Sequence, residues 1–434
     1  MLETLKNAWR VKEIRRKILF TFLIILIFRI GSVIPVPFVD VEAVKQLVQN
    51  MGTNGDFFSY LSVLTGGAME YGALFAMSVT PYINASIIMQ LLTVAITPLQ
   101  RIAKEEDGQK RIAKYTRFAT VILGLIQGGA YWYWLFASRC IDASTVFENI
   151  FAAVVIVLCF TAGTALMMWL GERIDEKGIG NGISILLFAG IISRVPQGVA
   201  SLYAMFATGE IPQGIAVIII LLVVIVFIVW MQAAERRIPI QYAKRVVGRK
   251  QYGGNNTFMP IKVNMSGVMP IIFASSILTI PTQILQFMSG SIQSNPDLAD
   301  GFWFKTLSLF NYQSWFYAVI YFAMIIAFGY FYMSIQYDPL EMANNLRKNG
   351  GLIPGIRSGK ATQTYLSKIL RRITLIGCIF LGAIAVLPIV VGQISGINLS
   401  LGGTSMLIVV GVAIDTVQQL ESQMMMRHYK GFLD

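Results

Sequence analysis

Gly214-Ile215-Ala216-Val217-Ile218-Ile219-Ile220-Leu221-Leu222-Val223-Val224-Ile225-Val226-Phe227-Ile228-Val229-Trp230-Met231-Gln232-Ala233-Ala234 is a run of 21 residues without a charge. In hydrocarbon every backbone N–H and C=O must be satisfied within the chain, and an α-helix does this locally. At about 1.5 Å per residue, about 20 apolar residues cross a hydrocarbon core of about 30 Å. Working outward from this run, similar apolar segments occupy 18–34, 74–96, 118–138, 151–170, 179–193, 264–288, 315–335, 373–391 and 401–420. The segment 179–193 is short and 401–420 carries Asp415. The reading is an all-α membrane protein with ten transmembrane helices. Composition agrees: 55% of the 434 residues are hydrophobic and only 13% charged, where soluble domains carry about 25% charged residues. The first 17 residues are basic and semi-polar, so the first apolar run is expected to be a true span rather than a cleaved signal peptide.

The basic residues set the expected orientation. Of 35 Lys and Arg, 30 fall in alternate non-membrane segments: the N-terminal arm, 97–117, 171–178, 235–263, 336–372 and the C-terminal tail. The opposite side holds Lys45, Arg139, Arg194 and Lys305, and Arg29 lies within the first span. The positive-inside rule then places both termini in the cytoplasm, in keeping with an even number of spans. Loops 235–263 and 336–372 are longer than span connection requires. Such basic loops suit docking of an acidic partner, such as ribosomal RNA, or of a partner protein.

Several function classes are disfavoured. Cys140, Cys159 and Cys378 have no CxxC spacing and read as small apolar residues. One histidine, His428, leaves no His-based triad or multi-histidine metal site. Gly359-Lys360 lacks the flanking residues of a phosphate loop, and Gly178-Ile179-Gly180-Asn181-Gly182 lacks dinucleotide-binding spacing. No enzyme motif survives, and no cofactor is expected. An ion-coupled transporter, the runner-up, would need an ionisable midplane site. Arg29 lies near the external end of its span, where it can snorkel outward, and Glu70, Glu172 and Glu235 sit at span edges. A membrane-embedded enzyme is the third reading, and no catalytic constellation supports it.

Phe57-Phe58-Ser59-Tyr60-Leu61-Ser62-Val63-Leu64-Thr65-Gly66-Gly67-Ala68 breaks the pattern of spans. It is uncharged, about half a span long and placed externally. An apolar piece of this length suits a re-entrant or buried helix; a short movable helix seated between spans competes with a helix packed on the surface. Ten spans divide into an N-terminal half (1–193) and a C-terminal half (214–434). Because five is odd, the halves have inverted topology. The external segment 194–213, with Pro196, Gly198, Gly209 and Pro212, joins them and is expected to act as a hinge.

Several short motifs then share one resemblance. They are Phe28-Arg29-Ile30-Gly31 with Ile34-Pro35, Pro81-Tyr82-Ile83-Asn84-Ala85-Ser86-Ile87-Ile88, Trp169-Leu170-Gly171-Glu172 and Gly178-Ile179-Gly180-Asn181-Gly182-Ile183-Ser184. They continue with Tyr242-Ala243-Lys244-Arg245, Lys262-Val263-Asn264-Met265, Phe273-Ala274-Ser275-Ser276, Pro354-Gly355-Ile356-Arg357 and Gly402-Gly403-Thr404-Ser405. In this order, and over nearly the whole chain, they resemble the bacterial SecY family, the channel-forming subunit of the Sec protein translocon. The resemblance implies an hourglass channel in the bacterial cytoplasmic membrane, crossed by unfolded preproteins. It also implies a lateral gate of the second, third, seventh and eighth spans that releases apolar segments and signal sequences into membrane lipid. SecE and SecG are the implied membrane subunits, with the SecA ATPase and the ribosome docking on the basic loops. There Arg357 takes the place of the family's critical arginine, and Lys244, Arg245, Arg249 and Lys250 lie on the companion loop.

The family's plug falls on 57–68, and its pore ring on Ile83, Ile87, Leu187, Ile191, Ile272 and Ile408. Ile83 and Ile87, like Leu187 and Ile191, stand at i, i+4 on one helix face. Each ring position lies about 11 to 20 Å into its span, near the middle of the core. Gln127, Ile88 and Ile280 leave the polarity of the gate open.

Overall fold

A computed structural model describes residues 9, 11–52, 62, 65–105, 107–141, 146–209, 211–242, 245–247, 250–252, 256–294, 309–310, 314–395 and 403–430. The N-terminal helices are α1 (Lys12–Gly31), α2 (Val41–Gly52), α3 (Thr80–Ala95), α4 (Thr97–Lys104), α5 (Gly108–Ala137), α6 (Val146–Lys177), α7 (Gly182–Ile192) and α8 (Val195–Ala207). After α9 (Ile211–Ala233) come strands β1 (Glu235–Tyr242), β2 (Arg245–Val247), β3 (Lys250–Tyr252) and β4 (Asn256–Lys262). Helices α10 (Met269–Ser294), α11 (Trp315–Gln336) and α12 (Pro339–Lys348) follow, then β5 (Gly351–Leu352), α13 (Lys360–Ser395) and α14 (Gly403–Lys430).

Each of the ten apolar segments lies on a helix. Among the described residues, five stretches are by themselves long and apolar enough to cross a membrane: Phe147–Lys177, Gly182–Ala207, Ile211–Ala233, Trp315–Lys348 and Lys360–Gln393. A sixth is the bent pair α3 and α4. In α1, α5, α10 and α14 the apolar run is diluted by charged ends or by hydroxyl and amide side chains. The architecture is an all-α multi-span membrane fold.

The second span departs from the boundaries expected of it. Residues 65–79 run as turns, Gly72 and Ser78 have positive φ, and the helix starts only at Thr80, with Pro81 in its first turn. Proline suits that position because its missing N–H has no intrahelical partner there. The helix stops at Ala95. Pro98 cannot continue it, since its ring clashes with the carbonyl four residues back and it donates no hydrogen bond. The chain turns through 106° into α4. The segment 194–213, expected as a hinge, is largely helical: Pro196 sits in the first turn of α8 and starts that helix instead of breaking one.

Outside the spans, the all-helical expectation missed a small sheet with strand order β4-β1-β5. β1 pairs antiparallel with β4, Ile238 opposite Met259, and its other edge pairs with β5, Tyr242 opposite Gly351. Ile238 and Ile240 are buried while Arg237 and Gln241 are exposed, the period-two alternation of a half-buried strand. Ile238 and Ile261 join Ala343, Ile353, Leu366, Leu370 and Ile373 in one apolar cluster. Loops 235–263 and 336–372, far apart in sequence, are therefore a single module.

Candidate functional site

The largest apolar cluster runs through α1, α3, α6, α7, α9, α10, α11, α13 and α14. It contains all six proposed ring residues. Ile83 and Ile87 come from α3, Leu187 and Ile191 from α7, Ile272 from α10 and Ile408 from α14, and all six are buried. α3 packs on α10 and α7 packs on α14, so each half contributes to both contacts. Asn181 fixes the start of α7: its side chain accepts from the Ser184 backbone N–H at 3.1 Å. That cap sets which residues follow at helical spacing, and so puts Leu187 and Ile191 on the inner face.

Of the proposed plug, Phe57, Phe58, Ser59, Tyr60, Leu61, Val63 and Leu64 lie outside the described residues. Ser62, Thr65, Gly66, Gly67 and Ala68 are buried, and Ala68 belongs to the same apolar cluster as the ring. Gly66 and Gly67 have φ of +64° and +90°, a region that side-chain-bearing residues avoid. Polar side chains hold this segment. Arg29 Nη1, on an exposed residue near the external end of α1, donates to the Gly66 carbonyl at 2.7 Å. Ser193 Oγ donates to the Gly190 carbonyl of its own helix at 2.6 Å and lies 3.4 Å from the Gly66 carbonyl. Arg194 pairs with Glu70 at 2.7 Å, and Ser62 Oγ donates to Glu70 Oε1 at 2.7 Å. Arg194 also donates to Ser62 and to Gln197. No sequence motif announced this cluster; its only signal was Arg29, Glu70 and Arg194 as isolated charges on the sparsely charged side.

The helices of the implied lateral gate meet: α3 and α5 both pack on α10, and α10 packs on α11. On α10, Ser275, Ser276, Thr279 and Thr282 are buried. Thr279 donates to the Ser275 carbonyl at 2.6 Å, and Thr282 to the Thr279 carbonyl at 2.8 Å. Such bonds satisfy the hydroxyl within its own helix and leave a mildly polar face between the two halves. The sequence reading quoted Ser275 and Ser276 only as part of a motif.

On the basic face, Arg357 is exposed in the turn between β5 and α13, after Gly355 at φ +80°. Arg245 and Lys250 are paired backbone positions of β2 and β3, opposite Tyr252 and Val247. Lys244 and Arg249 lie outside the described residues. β5 pairs with β1, and this brings the Arg357 turn onto the same module as the β2–β3 hairpin.

Cys140 is buried between α5 and α6; burial first, and then the Asp40 carboxylate, push its thiol pKa up. The thiolate is disfavoured, in keeping with a small apolar residue. Among the described residues no group of three or more His, Cys, Asp or Glu stands close enough to hold a metal ion.

Comparison with known proteins gives one answer. The SecY family profile matches residues 73–417. The protein translocase subunit SecY of Thermotoga maritima is 44% identical over 446 residues, covering 100% of this chain and 98% of the relative. Its counterpart from Streptomyces coelicolor is 42% identical over 450 residues, covering 100% of both. Among solved structures, a SecY protein described for its plug domain superposes with a TM-score of 0.66 at 19% identity, over 94% of this chain and 92% of that one. Sec61 from a canine ribosome-channel complex gives a TM-score of 0.61 at 18% identity, over the same shares. At those identities the structures speak to the fold alone, whereas the relatives match from end to end. The chain belongs to the SecY family.

Proposed function

We propose that this chain is the protein-conducting channel of a bacterial cytoplasmic membrane, a passive pore with no catalytic step of its own. The observation that carries the reading is the ring: six aliphatic side chains from four helices, two helices from each half, buried in one uncharged cluster. A narrow apolar constriction dewets and blocks ions without a rigid lid. It offers no hydrogen bonds, so no segment of a passing chain is retained. Branched side chains shift apart around a polypeptide of any sequence and close again behind it.

The finer parts of the reading follow. Residues 57–68 form the plug and move away from the ring when a chain enters. The α3, α5, α10 and α11 faces part to pass signal sequences and apolar segments into lipid. The halves 1–193 and 214–434 are inverted repeats hinged about 194–213, and both termini are cytoplasmic. SecE and SecG flank the chain in the membrane. SecA or the ribosome docks on the module of loops 235–263 and 336–372 and supplies the energy. The test is reconstitution with SecE and SecG in vesicles, followed by addition of SecA, ATP and a preprotein. Protease protection of the preprotein is expected. Absence of protected preprotein, together with saturable uptake of a small solute, would favour a transporter instead.

A further inference from the structure

We infer that Arg194, Glu70 and Ser62 form a buried ionic latch that holds the base of the plug to the end of the fifth span, and that the strength of this latch sets how strong a signal sequence must be to open the channel. The inference rests on the channel reading above and deepens it: Glu70 has no part in that reading, and the contact that joins Ser62 of the plug to Arg194 is not described by it. Arg194 follows α7, the helix that carries Leu187 and Ile191. It is only 8% exposed. Its guanidinium meets Glu70 at 2.7 Å, and Ser62 Oγ donates to the same carboxylate oxygen at 2.7 Å. Ser62 thus lies within the pair, since Arg194 also donates to it.

The clamp has a second jaw. Arg29 donates to the carbonyl of Gly66 at 2.7 Å. Ser62, Gly66 and Glu70 are therefore held by two arginines, Arg29 of the first span at the Gly66 carbonyl and Arg194, after the fifth, at Ser62 and the Glu70 carboxylate. Gly67 fits the same geometry, because a Cβ there would lie 2.7 Å from Arg194 Nη2. The pair is too buried to be an ordinary surface ion pair. Separating it leaves a charge desolvated and unpaired, unless water enters with the moving plug. Among the described residues Arg194 Nε is buried without a partner, so the guanidinium is held by Glu70, Ser62 and Gln197 and gains from hydration once released. Such an arrangement favours one docked position and makes departure cooperative: one movement of the plug takes Ser62 from Glu70 and Arg194, and Gly66 from Arg29, together.

The test uses the reconstituted complex with two preproteins, one with an intact and one with a defective signal sequence. Glu70→Gln and Arg194→Gln each remove one charge. Each is expected to raise translocation of the defective preprotein about tenfold, the scale of one lost charge-assisted interaction, and to raise resting ion leakage. The charge swap Glu70→Arg with Arg194→Glu is expected to restore stringency at least in part. Should either single variant insert poorly, Ser62→Ala weakens the latch without stranding a charge and is expected to give a smaller rise of the same sign. The latch is overturned if the parent translocates the intact preprotein and the inserted variants discriminate as the parent does. If the parent itself translocates nothing, the channel reading fails instead.

Discussion

Replacing Ile191 by Asn probes the ring most directly. Ile191 is 1% exposed, while its neighbour Ile192 on the same helix is 42% exposed, so the pair separates pore from periphery at one depth. Opening the constriction takes the Ile191 side chain from an apolar seal into pore water. For a fully buried isoleucine that transfer costs about 1.5–3 kcal/mol, and this is its share of the closed state. Asparagine removes that drive, and its amide offers donors and acceptors to water. At 1.4 kcal/mol per tenfold, the closed-to-open ratio should fall about 10- to 100-fold. Planar-bilayer recording of the reconstituted complex should show resting conductance rising by that order, with preproteins of defective signal accepted more readily. Ile408→Asn should behave alike, because Ile408 enters the same cluster from the other half. Ile192→Asn should not leak, although it is expected to insert less well. If Ile191→Asn and Ile408→Asn conduct no more than the parent, the ring is misassigned and the passage lies elsewhere between the halves.

Three further outcomes are expected. Arg357→Glu should abolish SecA-driven translocation while membrane insertion is unchanged, and binding of SecA to the parent should weaken with salt, since exposed charges are screened beyond about 8 Å at physiological ionic strength; normal preprotein protection by the variant would refute the docking role. Cysteines at Gly66 and Ser193, where a Cβ at 66 would lie 2.9 Å from Ser193 Oγ, should form a disulfide in the resting channel and lose it when a preprotein is jammed in the pore, whereas equal crosslinking in both states would mark a static segment. Gly163→Val should lower the thermal stability of the detergent-solubilised protein by about 1–3 kcal/mol, the scale of overpacking, because a Cβ there would lie 2.0 Å from the Leu74 carbonyl oxygen; an unchanged melting curve would contradict that approach.

The spans were legible in the sequence because, in lipid, helix formation answers to each segment's own length and polarity. The run 214–234 needs no neighbour to declare itself. Helical spacing likewise put Ile83 with Ile87, and Leu187 with Ile191, on common faces. The bend after Ala95 was also written locally, in Pro98, but a hydropathy pattern averages across it and so missed it.

Other features depend on partners distant in the chain. β1 shows period-two burial at Ile238 and Ile240, yet a strand is stable only once β4 and β5 supply its missing hydrogen bonds, and β5 lies beyond two helices of the membrane bundle. Arg29 stood in the sequence as a charge near the external end of its span, and one sequence position cannot reveal that the Gly66 carbonyl stands beside it. Glu70 and Arg194 were scattered charges until folding placed them 2.7 Å apart. The sequence determined which segments enter the membrane, since hydrocarbon tests each segment alone. Tertiary structure decided which polar groups are satisfied and where the apolar faces meet, because a hydrogen bond or an ion pair exists only when two chain positions share one place.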